Sequence, residues 1–189
     1  MSTGSTIGPA APPASARRIP KPQPGEYPPY ASMYLDLLPD DDRLMEHLRD
    51  NLRTAITLAS SVPEERLLHR YAPGKWTIKE VLVHLVDDER IYAYRAMCFA
   101  RGETTPLPGF EQDDYTAASG ANARSLHSIL IEYAAVRHAT LAFFDGVDEA
   151  ALTRTGVANG NRASVRALGW HIAGHEMHHL KLLREHYLP

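Results

Sequence analysis

Four stretches of twenty-odd residues repeat apolar side chains at three- and four-residue intervals, and almost nothing between them alternates as a strand does. A period near 3.6 buries its apolar stripe only as a helix, so the chain must pack helix on helix. The first stretch runs from about Asp41 to Ser61, with Leu44, Leu48, Leu52, Ala55, Ile56 and Ala59 on one stripe. The second opens with "TIKE", a capping box in which Thr77 caps and Glu80 reaches back, and continues to Gly102. The third spans about Asn122 to Asp145, with Leu126, Ile129, Leu130, Tyr133, Leu141 and Phe144 facing inward. The fourth starts from Ser164 as N-cap and reaches about Tyr187. These elements predict an all-α four-helix bundle.

The 189 residues, 44% of them hydrophobic, suit one domain with a tail. A formal charge of −3 gives no reason to expect nucleic acid or an acidic membrane surface as partner. The single cysteine, Cys98, excludes an intrachain disulfide framework and suits the cytoplasm, which is the expected location. No apolar run reaches the ~18–20 residues that span a bilayer. Residues 1–30 hold eight of the fourteen prolines, and we expect residues 1–39 to form an extended arm ahead of a bundle at 40–189. Tyr27, Tyr30, Tyr34 and Leu35 would anchor the stretch from about 27 to 38 on a bundle surface.

The stretch "GWHIAGHEMHHLKLLREHYL", residues 169–188, holds five of the ten histidines. At ~100° per residue, His175 and His179 fall on the inner stripe of the fourth helix with Leu168, Ile172, Leu182 and Leu183. On the second helix His84 and Asp88 flank the apolar face of Ile78, Leu82, Leu85 and Tyr92. Lone imidazoles are costly in a core, whereas three converging on a divalent cation satisfy one another.

Height along the bundle tests that idea. His84 lies about seven residues into the second helix and His179 about eight from the end of the fourth. They share a level if the two helices are antiparallel and miss by about 6–12 Å if parallel. An up-down-up-down bundle makes them parallel; up-down-down-up makes them antiparallel and needs a long crossover from the second helix to the third. "RGETTPLPGFEQDDYTAASG", with prolines and no helical period, is long enough.

Over about residues 40–188, "WTIKEVLVHLVDDERIYAYRA", "TPLPGFEQDDY" and "HIAGHEMHHLKLLREHYL" resemble the DinB-like superfamily of bacterial four-helix bundles. That superfamily includes thiol S-transferases that use bacillithiol or mycothiol. The resemblance implies an up-down-down-up fold, metal ligands at His84, His175 and His179, and a homodimer. Zinc and nickel both suit imidazole. Asp88 is placed to receive an imidazole N–H and His171 to stand behind a ligand, while Tyr71, Lys75, Trp76, Phe110, Asp113, Asp114 and Tyr115 could rim the pocket. Glu89 falls on the apolar face and needs a partner, with Arg95 and Arg184 as candidates. No general base can be assigned. The expected function is a divalent-metal-dependent enzyme acting on a small molecule, a low-molecular-weight thiol S-transferase first and a hydrolase second. The non-enzyme alternative is a metal- or ligand-binding stress-response protein whose cation mainly stabilises the bundle.

Overall fold

A computed structural model describes residues 17–188. In chain order its helices are α1 (Ser32–Leu35), α2 (Leu44–Ser60), α3 (Ile78–Ala100), α4 (Gln112–Ala118), α5 (Leu126–Gly146) and α6 (Glu149–Leu152). Strands β1 (Thr155–Ala158) and β2 (Asn161–Ser164) follow, then α7 (Val165–Leu182), which ends in a π-helical turn at Leu183–Tyr187. Helices α2, α3, α5 and α7 are the four the sequence predicts.

Their directions follow from which residues meet. Along α3, His84 lies against His175 and His179 while Tyr92, two turns on, stacks on His171, so α3 and α7 are antiparallel. Asn51 of α2 donates to the Ala173 carbonyl (2.9 Å), and Leu44 and Phe144 both face Gly169. Thus α2 runs parallel to α7 and antiparallel to α5. Lys79 reaches the Arg124 carbonyl just before α5, and Arg137 bonds Glu89, so α3 and α5 are parallel. The topology is up-down-down-up, with α2 and α3 each flanked by α5 and α7.

The crossover runs back along α3. Arg95 holds the Pro108 carbonyl (2.9 Å), and further on Asn122 bonds both Thr77 and Glu80 (2.7 Å each). Asn122 therefore ties the crossover to the start of α3 instead of opening α5. Gly120, at φ +66°, breaks the approach, and Ser125 caps α5 by accepting from the Ser128 N–H. The capping box at Thr77 and the cap at Ser164 form as the sequence predicts. The hairpin β1–β2 was not expected. Its turn is Asn159–Gly160, both at positive φ, which matches the strand twist, but four-residue strands carry too few alternations to read.

The segment before α2 is not extended throughout. Turns at Pro29–Ala31 and α1 coil it against α7, and its anchoring starts earlier than Tyr27. Ile19 is fully buried and its carbonyl accepts from the Trp170 indole (3.2 Å), while Glu26 pairs with Arg166 and Ser164. The part of the arm at 1–16 lies outside the described residues.

The apolar core divides into two clusters. One contains Leu44, Leu48, Phe99, Phe144 and Trp170; the other contains Leu52, Leu82, Ile129, Tyr133 and Leu180. Between them runs a polar layer to which all four long helices contribute. Arg137, 1% exposed, donates from Nε and Nη2 to the two carboxylate oxygens of Glu89 (2.9 and 2.8 Å). It also donates to Glu176 (2.7 Å) and to the Leu48 carbonyl, and Tyr133 donates to Glu176. Glu89 thus takes Arg137, not Arg95 or Arg184.

Candidate metal centre

Asp88 and Glu89 are neighbours on α3, as are His175 and Glu176 on α7. Successive residues point ~100° apart, so the second of each pair joins the ion network and the first turns to the groove between α3 and α7. There the Nε2 atoms of His84 and His175 lie 3.2 Å apart, and those of His179 and His175 lie 3.1 Å apart. Among the described residues, His84, His175 and His179 form the group whose ligand atoms, all within 4.8 Å of one another, could hold a metal ion.

Two tests favour a cation. Metal–nitrogen bonds of ~2.1 Å separate two nitrogens by roughly 3.0 Å at octahedral and 3.4 Å at tetrahedral angles, and the two contacts fall between these. The protons point the same way. Asp88 Oδ2 faces His175 Nδ1 at 3.2 Å, so His175 carries its proton there and turns a bare Nε2 inward. That lone pair can accept from one neighbour only. The two neighbouring imidazoles therefore compete for that one lone pair, a conflict that a cation held by all three nitrogens would remove. Among the described residues His179 Nδ1 is buried without a hydrogen-bond partner, so none on its outer side relieves the conflict.

Burial sets the charges. It pushes His84 down to about 4, helped by His175 and opposed by Asp88. It pushes His179 down to about 2 and His171 to about 3. Burial would raise Asp88, but His175, His171 and His84 outweigh it and hold the carboxyl well below the usual range. His84 and His179 are thus neutral donors at physiological pH, the form a metal requires.

Two aromatic walls fix the rings. Trp76, ahead of α3, lies 4.6 Å from His84 and stacks over His179 at 6.3 Å. Tyr34 of α1 presents its ring edge-on to His171, His175 and His178 at 5.1, 5.2 and 5.5 Å. Gly174 makes room for it: a Cβ there would stand 2.4 Å from the Tyr34 carbonyl oxygen. His171 stacks flat on Tyr92 (3.9 Å) behind His175, and His178 stays half-buried at the margin.

A hollow of about 320 Å³ opens on His179, lined also by Tyr71, Lys75, Trp76, Gln112 and Asp113. Trp76 is therefore on it. Phe110 and Tyr115 are not; they pair with each other (5.3 Å) over a different hollow beside Arg95. Tyr71, Lys75 and Asp113 line the His179 hollow as the sequence suggests, and the crossover adds Gln112 at the start of α4. Tyr34 and Arg137 are what reading the sequence missed. Tyr34 sits in a segment with no period to project from, and Arg137 follows Ile129 and Tyr133 on the α5 stripe at a position where apolar counting skips it.

A family model described as the DinB superfamily matches residues 45–183. The chain belongs to the DinB superfamily. It is similar in structure to YfiT from Bacillus subtilis, described as a probable metal-dependent hydrolase with an unusual four-helix bundle topology. The TM-score is 0.67 at 16% identity, over 77% of this chain and 86% of that one. No curated protein matches in sequence. Among the described residues no helix is long and apolar enough to cross a membrane.

Proposed function

We propose that this DinB-superfamily chain is a divalent-metal-dependent enzyme that transfers a low-molecular-weight thiol to a small electrophile. The observation that carries the reading is the convergence of three imidazoles, with no cysteine or carboxylate among them, beside the hollow on His179. Three histidines leave coordination positions open, the pattern of catalytic rather than structural sites. A bound zinc or nickel ion would favour the thiolate over the thiol by stabilising its negative charge.

The chain's own residues supply the rest. His84, His175 and His179 would hold the ion, and Asp88 fixes the tautomer of His175. Lys75 and Gln112 offer a cation and an amide to a polar substrate, and Trp76 gives it an apolar wall. Asp113 is the carboxylate on the same hollow that can accept the thiol proton.

A second reading, hydrolysis, is favoured by the likeness to YfiT. It would use the same ligands, with water in place of the thiol. The test is spectroscopy of the full chain loaded with one equivalent of cobalt(II) and titrated with 2-mercaptoethanol. A saturable sulfur-to-cobalt charge-transfer band is expected. Stoichiometric cobalt binding with no such band, together with hydrolysis of 4-nitrophenyl acetate that His179→Ala abolishes, would select the second reading. Failure to retain cobalt would refute both.

A further inference from the structure

We propose that the hollow beside Arg95, on the outer side of α3, binds a small planar carboxylate at a site separate from the histidine triad. Arg95 is 6% exposed, yet among the described residues no carboxylate pairs with it. The comparably buried Arg137 engages two. A buried cation without a counter-ion is costly unless a ligand supplies one. Arg95 spends one N–H on the Pro108 carbonyl (2.9 Å), and among the described residues its other N–H groups meet no acceptor.

The guanidinium is also held in place. Its carbon stands 5.1 Å from the Tyr92 ring centre and 5.8 Å from that of Phe110, so it lies clamped between two aromatic faces. A fixed, planar fork of donors is the geometry that a carboxylate meets with two hydrogen bonds.

The hollow selects the rest of the ligand. It measures about 240 Å³, enough for one ring bearing a small substituent, and Tyr94, Leu107, Phe110 and Tyr115 wall it. Arg90 also lines it but is already paired with Glu132 (2.5 Å) and lies 3.6 Å from Asp87. One positive charge is therefore left to neutralise, which a monoanion matches and a dianion overshoots. The crossover that roofs the hollow is tied down on β1: Leu107 donates to the Val157 carbonyl (2.9 Å), and the Asn159 N–H donates to the Leu107 carbonyl (3.0 Å). The site is thus formed before the ligand arrives, which spares the ordering cost. Tyr92, stacked on His171, stands between Arg95 and the triad.

Fluorine NMR of 4-fluorobenzoate with the full chain tests the proposal, in the presence of a chelator and after cobalt loading. Saturable binding to one site is expected in both states, with displacement by benzoate. Benzamide has the same shape without the charge and should compete at least tenfold more weakly. Arg95→Gln should abolish binding, and Tyr115→Ala, at a half-exposed wall residue, should weaken it several-fold. Should Arg95→Gln fail to fold, the benzamide comparison and Tyr115→Ala decide. Equal competition by benzamide, binding that requires cobalt, binding untouched by Tyr115→Ala, or no saturable binding would each overturn the proposal.

Discussion

Replacing Arg137 by methionine tests the reasoning about the polar layer most directly. The side chain makes four hydrogen bonds, three to carboxylate oxygens and one to the Leu48 carbonyl. Methionine keeps the apolar stem but ends short of the guanidinium, so the loss is chiefly electrostatic with a small cavity added. Among the described residues Glu89 is left without a side-chain hydrogen-bond partner, and Glu176 keeps Tyr133. Breaking a buried pair by removing one member costs about 3–5 kcal/mol, a large share of a typical domain's 5–15 kcal/mol. At about 2–4 °C per kcal/mol for a chain of this size, the melting temperature should fall by roughly 6–20 °C. Urea unfolding measures the free energy. The sign with pH is a second readout. The stranded carboxyls would have folded pKa values above their unfolded ones, as burial already does for Glu176. The deficit should therefore shrink as pH falls and grow as pH rises through those values. The triple variant Glu89→Leu, Arg137→Met, Glu176→Leu should recover most of the loss, because no charge is then left buried. A single variant within 1 kcal/mol of the wild type, or a triple variant no better than the single one, would refute the account.

Three further outcomes follow from the geometry. Asp88→Asn replaces the carboxylate behind His175 Nδ1 with a neutral amide that can present its NH2 as well as its oxygen, so it should weaken zinc affinity about 10- to 100-fold in competition with a chelating dye, with helicity unchanged by circular dichroism. Gly174→Ala should loosen the Tyr34 segment at a cost of about 1–3 kcal/mol, since a backbone carbonyl cannot swing aside; faster hydrogen exchange over residues 27–38 would show it. Gly169→Ala, which meets only the tips of Phe144 and Leu44, should leave that exchange unchanged. The hydrogen bond from Arg166 lowers Glu26 to about 2, so its contribution is present above pH ~4.5 and lost as pH falls towards 2. Solvent screening reduces it to about 1 kcal/mol, and Glu26→Gln should flatten the acid limb of the stability curve by that amount.

What could be read from the sequence was what repeats or what is local. The four long helices came from the apolar period, and Thr77 and Ser164 marked their starts because caps are decided within three residues. The triad was legible because His175 and His179 share a stripe and His84 shares their height in one topology only. The rest depended on distant partners. Arg137 meets Glu89 and Glu176 at separations of 48 and 39 residues, which no local pattern encodes. Phe110 and Tyr115 were assigned to the wrong hollow because a proline-rich crossover has no period from which to project its side chains. Ile19 and Glu26 anchor the segment before α2 through Trp170, Ser164 and Arg166, more than 130 residues away.

The parallel pairing of α2 with α7, and of α3 with α5, also bears on how quickly the chain folds. A simple up-down bundle docks each helix on the next and closes short loops first. Here Asn51 must find Ala173, 122 residues on, and His84 must find His175 across 91. Such separations place the protein towards the slow end for helical folds, because loop-closure entropy is spent before the contacts reward it. The triad draws on helices far apart in the chain, so its imidazoles converge only after α3 and α7 have docked. A cation bound there would slow unfolding while leaving the folding rate almost untouched.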